Sequence, residues 1–294
     1  MSISYTVRKR IYFLVSFLCA FLAFWLVFLV MMSAGQNHSA PRTAPANRAA
    51  AYQPSDQDAL TLMLFGIESH GAVADTFVLL RFDPVRGQVG VAVFPPGTVL
   101  THNDSGETLA EAYRFGGMIY TRDVLSLTLN IPIDRHARAT LSGFVAAANA
   151  VGSVEFELYE PVTVSAGGQP VTLDAGVHLL DGRQVAELVR YRDFPGTEAA
   201  RTELITRLTC AIIDQRIDIV FSTLLEQVFT TVVNLLDTDI TFADFEQRIA
   251  GAQHMADQSE PVALPIALQG DFCQDGIRFT LHDTALAQIA RFFL

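Results

Sequence analysis

Apolar residues occur in short runs through the middle of the chain, and Gly, Pro and Asp separate them. Such runs, bounded by turn residues, are typical of strands in a buried sheet. Between the second and third runs, Asp83-Pro84-Val85-Arg86-Gly87 is a turn, since Pro presets one backbone angle and Gly accepts a positive one. The second and third strands are therefore predicted to form a hairpin at one sheet edge. The predicted strands are 60–67, 76–82, 89–94, 135–140, 154–158 and 162–164.

Longer segments carry apolar residues at helical spacing, as Leu204, Leu208 and Ile212 do. Thr241 is suited to cap the start of the last of these segments. Strands and helices are mixed without a steady βαβ rhythm, so the fold class is mixed α/β (α+β): a mixed central sheet covered by helices. The predicted helices are 107–130, interrupted at Gly116-Gly117, 142–151, one that opens at Asp181, 198–236 and 241–249.

Residues 11–32 carry no charge and are long enough, at about 1.5 Å per residue, to cross a hydrocarbon core of about 30 Å. We predict a transmembrane helix there. Arg8, Lys9 and Arg10 precede it, so the positive-inside rule places residues 1–10 in the cytoplasm and the rest outside a cell membrane crossed once. A cleaved signal peptide is the alternative, although its apolar region is usually only about 7 to 15 residues long.

The segment 33–59 is rich in Ala, Pro, Asn and Gln and lacks apolar periodicity, which is typical of a flexible linker. No repeat or low-complexity stretch divides the remainder. We therefore expect residues 60–294 to form one extracytoplasmic domain.

The formal net charge is −11, and Lys9 is the one lysine. This acidic balance disfavours nonspecific nucleic-acid binding, so we expect no nucleic acid among the partners. Cys19 falls in the predicted span, which leaves Cys210 and Cys273 outside it. Whether these two cysteines form a disulfide stays undecided, because nothing in their spacing supports one.

Three arginines, Arg190, Arg192 and Arg201, lie close together at a predicted helix. A guanidinium keeps its charge and offers a planar fork of donors that matches phosphate oxygens. The cluster therefore suits a phosphate or pyrophosphate, and a solvated helix face is the alternative.

Seven segments, in order and spacing, resemble the LytR-CpsA-Psr family of cell-envelope proteins, over roughly residues 60–294. They are LTLMLFGIES, ADTFVLLRFDP, VGVAVFPPGT, AEAYRFGG, IPIDRHARATLSGFVAAANAVGSVEFEL, GVHLLDGRQVAELVRYRDFP and TDITFADF. The resemblance implies a magnesium-dependent phosphotransferase that moves a glycan polymer from a polyprenyl-pyrophosphate carrier to a cell-wall acceptor. Some members carry the older label of transcriptional attenuator. The resemblance also implies an apolar slot for the lipid between the sheet and the helices.

The resemblance also implies a site. Glu68, where the family has Asp, and Asp75 would hold Mg²⁺, and Asp75 would assist catalysis. Arg190, Arg192 and Arg201 would bind the pyrophosphate, the first two with a catalytic role. Without the resemblance, Asp75 is a residue that satisfies a strand end.

Several family positions have changed chemistry. Val73 replaces an arginine, Pro95-Pro96-Gly97 replaces Pro-Arg-Asp, His70 stands where the first loop usually has an arginine, and glutamines are replaced at Ile205 and Thr206. Each missing transition-state contact of this kind typically costs about 2.7 to 4 kcal/mol.

Three hypotheses therefore remain. The first is an active glycopolymer phosphotransferase. The second is a polyprenyl-phosphate-binding or regulatory protein that has lost catalysis. The third is an exported structural domain without a lipid site.

Overall fold

The computed structural model describes residues 52–67, 74–101, 106–166, 169–191, 197–217, 225–258, 260–274 and 276–294. The predicted cytoplasmic segment, the predicted span at 11–32 and the linker up to residue 51 lie outside these ranges. Within the described ranges, no helix has both the length and the apolar character needed to cross a membrane.

One compact unit runs from Tyr52 to Leu294. The end of the predicted linker belongs to this unit: Asp56–Asp58 form a short 3-10 helix, and Arg248 donates a hydrogen bond to the carbonyl of Ala59. Polar side chains of the domain therefore hold a segment whose composition alone suggested a flexible chain.

A mixed six-stranded sheet forms the centre, in the order β10-β3-β2-β1-β4-β9. Strand β1 pairs antiparallel with β2 and parallel with β4, β2 pairs antiparallel with β3, and β10 runs parallel to β3. The predicted β2–β3 hairpin is present, but it lies inside the sheet because β10 covers its outer edge. The strands are β1 (Leu60–Ile67), β2 (Ala74–Asp83), β3 (Gln88–Phe94), β4 (Arg135–Thr140), β5 (Val154–Leu158), β6 (Val162–Ala166), β7 (Gln169–Leu173), β8 (Gly176–Leu180), β9 (Asp237–Thr238), β10 (Ala263–Pro265), β11 (Gly270–Phe272) and β12 (Phe279–Leu281).

Seven α-helices occur within the described residues: α1 (Leu109–Leu129), α2 (Leu141–Val151), α3 (Gly182–Arg190), α4 (Thr197–Arg216), α5 (Leu225–Asn234), α6 (Phe242–Ala256) and α7 (Asp283–Phe293). The predicted cap at Thr241 is confirmed, since its side chain accepts a hydrogen bond from the backbone N–H of Asp244. Gly117 has φ 68° and kinks α1 where the sequence predicted an interruption. The long helix predicted over 198–236 is present as two helices, α4 and α5.

Alternation along the central strands separates the two faces of the sheet. Met63, Phe65, Phe77 and Leu79 pack with Tyr113 and with other residues of α1 and α7 in the largest apolar cluster. Their neighbours on the other face, which include Val78, Leu64 and Leu80, pack against Val189 of α3 and Ile205 of α4. The central sheet is therefore covered on both faces, and the mixed α/β architecture expected from the sequence is confirmed.

Candidate functional site

An apolar cavity of about 320 Å³ lies between the central sheet and helices α2, α3 and α4. Strands β1, β2 and β4 form one wall through Leu64, Val78 and Ala137. The helices form the other wall with aliphatic residues and Phe144. Almost the whole lining is hydrocarbon, and its polar members include Asp75, Thr76 and Arg190.

A β-bulge places two consecutive residues of β2 at this cavity. Gly66 pairs with Thr76 and Ile67 pairs with Ala74, so Asp75 is the extra residue. Neighbouring side chains of a regular strand point to opposite faces, whereas a bulge changes the direction of one of them. Ala74 and Phe77 both belong to the core cluster of the other face, while Asp75 and Thr76 both line the cavity.

Arg201 lies beside the bulge and is almost wholly buried, with 2% of its side chain exposed. Its Nε donates to the carbonyl of Val189 (3.1 Å), and Nη1 donates to the carbonyl of Asp75 (3.1 Å) and to Glu198 Oε1 (2.7 Å). Nη2 donates to Thr76 Oγ1 (2.9 Å) and lies 3.9 Å from Asp75 Oδ1. One guanidinium therefore joins β2, the last turn of α3 and the first turn of α4.

Two of these contacts supply hydrogen-bond donors to backbone carbonyls, those of Val189 and Asp75. The last carbonyls of a helix lack partners within it, and a cation is favourable there, so Arg201 is well suited to the end of α3. Thr76 Oγ1 donates in turn to Asp75 Oδ1 at 3.0 Å. The Asp75 side chain is thereby held in place at the cavity, with 16% of its surface exposed.

Arg190 is the last residue of α3, and it lines the cavity on the side opposite the sheet. Its Nη1 lies 3.5 Å from Glu187 Oε2 on the same helix, and 36% of its side chain is exposed. Burial and exposure thus differ within the predicted arginine cluster. Arg190 is accessible at the cavity, Arg201 is enclosed by hydrogen-bond acceptors of the protein, and Arg192 lies outside the described residues.

Among the described residues, the oxygen atoms that could bind Mg²⁺ are too few to hold it without further oxygens from a bound ligand or water. Glu68, the second predicted metal ligand, is outside the described residues. Among those described, no group of three or more His, Cys, Asp or Glu side chains is placed to hold a metal ion. Mg²⁺ commonly binds one or two carboxylates plus phosphate oxygens and water, and the carboxylate of Asp75 fits that chemistry.

The segment Pro95-Pro96-Gly97, where the family has an arginine and an acid, is closely packed. A Cβ placed on Gly97 would lie 1.7 Å from the carbonyl oxygen of Ile277. The backbone N–H of Phe279 also donates to the Gly97 carbonyl at 2.9 Å. This backbone has no room for an acidic side chain at position 97.

Cys210 and Cys273 are both free thiols, so the question left open by the sequence is answered: they do not pair. Burial, with a smaller contribution from Asp214, raises the pKa of Cys210 to about 11. Cys210 is therefore a neutral thiol near pH 7, packed with the apolar cluster that includes Ile205.

Two residues of the site were missed in the sequence. Thr76 directly follows Asp75, and Glu198 precedes Arg201 by one helical turn. The i,i+3 spacing of Glu198 and Arg201 was a usable signal of a side-chain pair. The contact with Thr76 was not foreseeable, because it depends on the bulge.

A family model matches most of the chain. The model of the LytR_cpsA_psr family matches residues 26–290. An uncharacterized protein of Staphylococcus aureus (strain NCTC 8325 / PS 47) is 26% identical over 133 residues, which are 43% of this chain and 32% of that protein. The matched region thus spans about a third of that relative.

Several solved structures share the fold. A crystal structure of a protein from Eubacterium siraeum DSM 15702 has a TM-score of 0.75 at 15% identity, over 84% of this chain and 95% of that one. B. subtilis TagV has a TM-score of 0.66 at 18% identity, over 80% and 95%. A structure of TagT bound to LI-WTA has a TM-score of 0.60 at 19% identity, over 82% and 91%. At these identities the likeness concerns the fold.

Proposed function

This chain belongs to the LytR_cpsA_psr family, and from that membership we propose that it binds a polyprenyl-phosphate-linked glycan of the cell envelope. The polyprenyl tail occupies the apolar cavity, and the phosphate lies at the Asp75 and Arg190 end. The family resemblance inferred from the sequence is confirmed, and it gives the general class of ligand. The TagT structures bound to LI-WTA and LIIa-WTA, which share this fold, support a glycan-linked ligand.

The observation that carries the proposal is a cavity lining that is almost wholly apolar and has polar groups at few positions. An apolar cavity buries a hydrocarbon chain, and burial of each CH₂ contributes about 0.8 kcal/mol. Arg190 is the described, accessible arginine of the cluster that lines the cavity. It can donate to phosphate oxygens without leaving α3.

Binding of a fluorescent polyprenyl phosphate to the full chain in detergent tests the proposal. Arg190→Gln removes the charge that meets the phosphate, so affinity should fall about 10- to 100-fold, the loss expected for a hydrogen bond to a charged group. Ala147→Trp places a large side chain of α2 in the cavity. It should abolish saturable binding of polyprenyl phosphate and of the uncharged polyprenol alike.

Arg183→Gln is the matched control, because Arg183 is exposed on the same helix and does not line the cavity. It should bind like the unchanged chain. The proposal fails if the unchanged chain does not bind the lipid, or if Ala147→Trp binds it with unchanged affinity.

Transfer of the glycan to a cell-wall acceptor is the second candidate, and the position of Asp75 favours it. The bulge, Thr76 and Arg201 hold its carboxylate at the cavity, where it can accept a proton from an acceptor hydroxyl. Asp75, with Glu68, would hold Mg²⁺, which would neutralise charge on the phosphates. Arg190 and Arg192 would position the pyrophosphate.

In this transfer the phosphoanhydride bond breaks, the glycan phosphate joins the acceptor oxygen and polyprenyl phosphate leaves; release of polyprenyl phosphate from a polyprenyl-pyrophosphate glycan in the presence of Mg²⁺ therefore tests this second candidate. Asp75→Asn should remove turnover and keep polyprenyl phosphate binding within about threefold, because the tail and Arg190 are unchanged. Lipid binding without any turnover by the unchanged chain would favour the binding or regulatory role. The loss of family charges at Val73 and Pro96 and the closed position at Gly97 support that role.

The placement of the protein is part of the same proposal. A single span at residues 11–32 would anchor the chain in the cell membrane with the domain outside. That arrangement would bring the cavity to a lipid carrier on the same side as the cell-wall acceptor.

A further inference from the structure

Helix α4 has a second face that lines a concave surface other than the lipid cavity. Ile205, Leu208 and Ile212 face the cavity. A separate stripe has the i, i+3, i+4, i+7, i+8 spacing of one helix face; its residues are Ala199, Thr202, Glu203, Thr206 and Arg207. This polar stripe borders a different concave surface of the domain.

A cavity of about 480 Å³ lies over this stripe. Its other walls come from Pro95 after β3, from the last residue of β10 and the three that follow it (265–268), and from Phe272 and Phe279 of β11 and β12. A smaller depression of about 110 Å³ reaches Tyr159, and Glu203 and Arg207 line both. We call the two together the outer groove.

Arg207 is held in a fixed position in the outer groove. Its guanidinium carbon lies 3.6 Å from the centroid of the Tyr159 ring, and Nη2 donates to the carbonyl of Glu157 at 2.7 Å. A stacked guanidinium with one donor committed is preorganised, so its remaining N–H groups meet a ligand at low entropic cost.

Acceptors line the same groove. Glu203 is exposed one helical turn before Arg207. Thr202 and Thr206 donate their hydroxyl protons to the backbone carbonyls one turn earlier, at 2.7 and 2.8 Å, and each hydroxyl oxygen keeps lone pairs for a ligand donor. The half-buried ring of Phe272, whose centroid is 4.8 Å from that of Phe279, adds an aromatic surface.

We propose that the outer groove binds a neutral glycan chain, as a second site separate from the lipid cavity. Sugar rings present an apolar face that packs on aromatic rings, and their hydroxyls both donate and accept. The aromatic surface at Phe272, the donors of Arg207 and the acceptors of Glu203 and the threonines match these needs. The inference rests on the proposed function in one respect: that function explains why a cell-envelope glycan would be present near the groove.

Other ligands fit the groove less well. A hydrocarbon tail would strip water from Glu203 and Arg207 without replacing their hydrogen bonds, which is costly. A polyanion such as a nucleic acid would meet the carboxylates of Glu160 and Glu203 beside a single arginine.

Titration of the full chain in detergent with chitotetraose, a neutral N-acetylglucosamine oligomer, followed by ligand-observed NMR, tests the inference. Saturable binding is expected. Glu203→Ala should weaken it about tenfold, the loss expected for a hydrogen bond to a charged group. Ala199→Trp, from an exposed position in the stripe, should fill the groove and abolish binding.

Glu246→Ala is the matched control, because Glu246 is an exposed glutamate of α6 that does not line the groove. It should bind the oligomer normally. Both groove variants should keep the unfolding temperature and the polyprenyl phosphate affinity of the unchanged chain. Failure of glycan binding is therefore distinguishable from failure of the lipid proposal.

Three results would overturn the inference: no saturation by the oligomer, binding that survives both groove variants, or an unstructured peptide that displaces the oligomer from the same groove.

A competition experiment separates two sources of the glycan. If the groove takes the glycan of the lipid-linked donor, that donor competes with the oligomer. If it takes the acceptor strand, both bind together. Either result supports the groove as a glycan site.

Discussion

At the residue scale, Arg190 and Arg201 look equivalent in the sequence but have different surroundings in the structure. The spacing of Arg190, Arg192 and Arg201 left a phosphate-binding cluster and a solvated helix face as alternatives, and the family resemblance favoured phosphate binding. Position in a sequence does not reveal how deeply each guanidinium is enclosed by the protein. Arg201 is enclosed by Glu198, Thr76 and two backbone carbonyls, whereas Arg190 is accessible at the cavity.

Replacing Arg201 should therefore affect the fold. Arg201→Gln leaves Glu198 and the bulge without their partner, and breaking a buried charge pair costs about 3 kcal/mol. For a domain of this size that corresponds to a fall of about 10 °C in the unfolding temperature, measurable by calorimetry. Arg291→Gln, an exposed arginine on α7, should unfold like the unchanged chain. A normal unfolding temperature combined with weaker lipid binding would instead assign Arg201 to the ligand.

Gly97 provides a second test at this scale. Gly97→Ala should lower the unfolding temperature, because its Cβ meets the carbonyl of Ile277 and the backbone there must shift. Gly90→Ala is the matched control in the neighbouring strand, since its Cβ would find an ordinary contact at 3.7 Å from Phe293. Equal unfolding temperatures of the two variants would contradict this, because they would show that the 277–278 backbone can shift at little cost.

At the element scale, local patterns predicted six of the twelve strands among the described residues, β1 to β6, and most of the helix starts. Short segments bounded by turn residues or by predicted helices gave β1, β4 and β5 with the observed bounds, and turn residues gave the β2–β3 hairpin. The bulge at Asp75 was not predictable, because it depends on the register between two strands. The short strands β9 to β12 also carry too few residues for a periodic signal, and long-range pairing defines them.

Helix α6 is tied to β4 by a charge pair that predicts a pH dependence of stability. Arg135 Nε and Nη2 contact the two carboxylate oxygens of Asp244 at 2.9 and 3.0 Å. Burial alone would raise the pKa of Asp244, but hydrogen bonds from Arg135 and Thr241 outweigh it and hold that pKa well below its ordinary value. The charged carboxylate is therefore favoured in the folded state.

The stabilisation from Asp244 should be complete above the pKa of an unfolded Asp, about 3.9, and lost as the pH falls below it toward the folded pKa. Urea unfolding at pH 7 and pH 3.5 measures this. Asp244→Asn should lower stability at pH 7 and reduce the difference between the two pH values. Asp257→Asn, at the exposed end of the same helix, should keep the full difference. An undiminished difference in Asp244→Asn would contradict the assignment.

At the scale of the whole molecule, the sequence predicted a mixed sheet covered by helices, and the structure has this architecture. The resemblance also implied a lipid slot, and an apolar cavity lies at that place. Its polar end depends on three separate elements: the bulge of β2, the end of α3 and the first turn of α4. Long-range pairing brings them together, so the sequence could name the residues but could not place them.

A structure of the full chain bound to a polyprenyl phosphate is the most direct measurement of the central claim. The account predicts the isoprenoid chain between the β1–β2–β4 wall and helices α2 to α4, with a phosphate oxygen within hydrogen-bonding distance of Arg190. Arg201 should keep its contacts to Val189 and Thr76. A lipid bound elsewhere on the domain, or a phosphate remote from Arg190, would contradict the account.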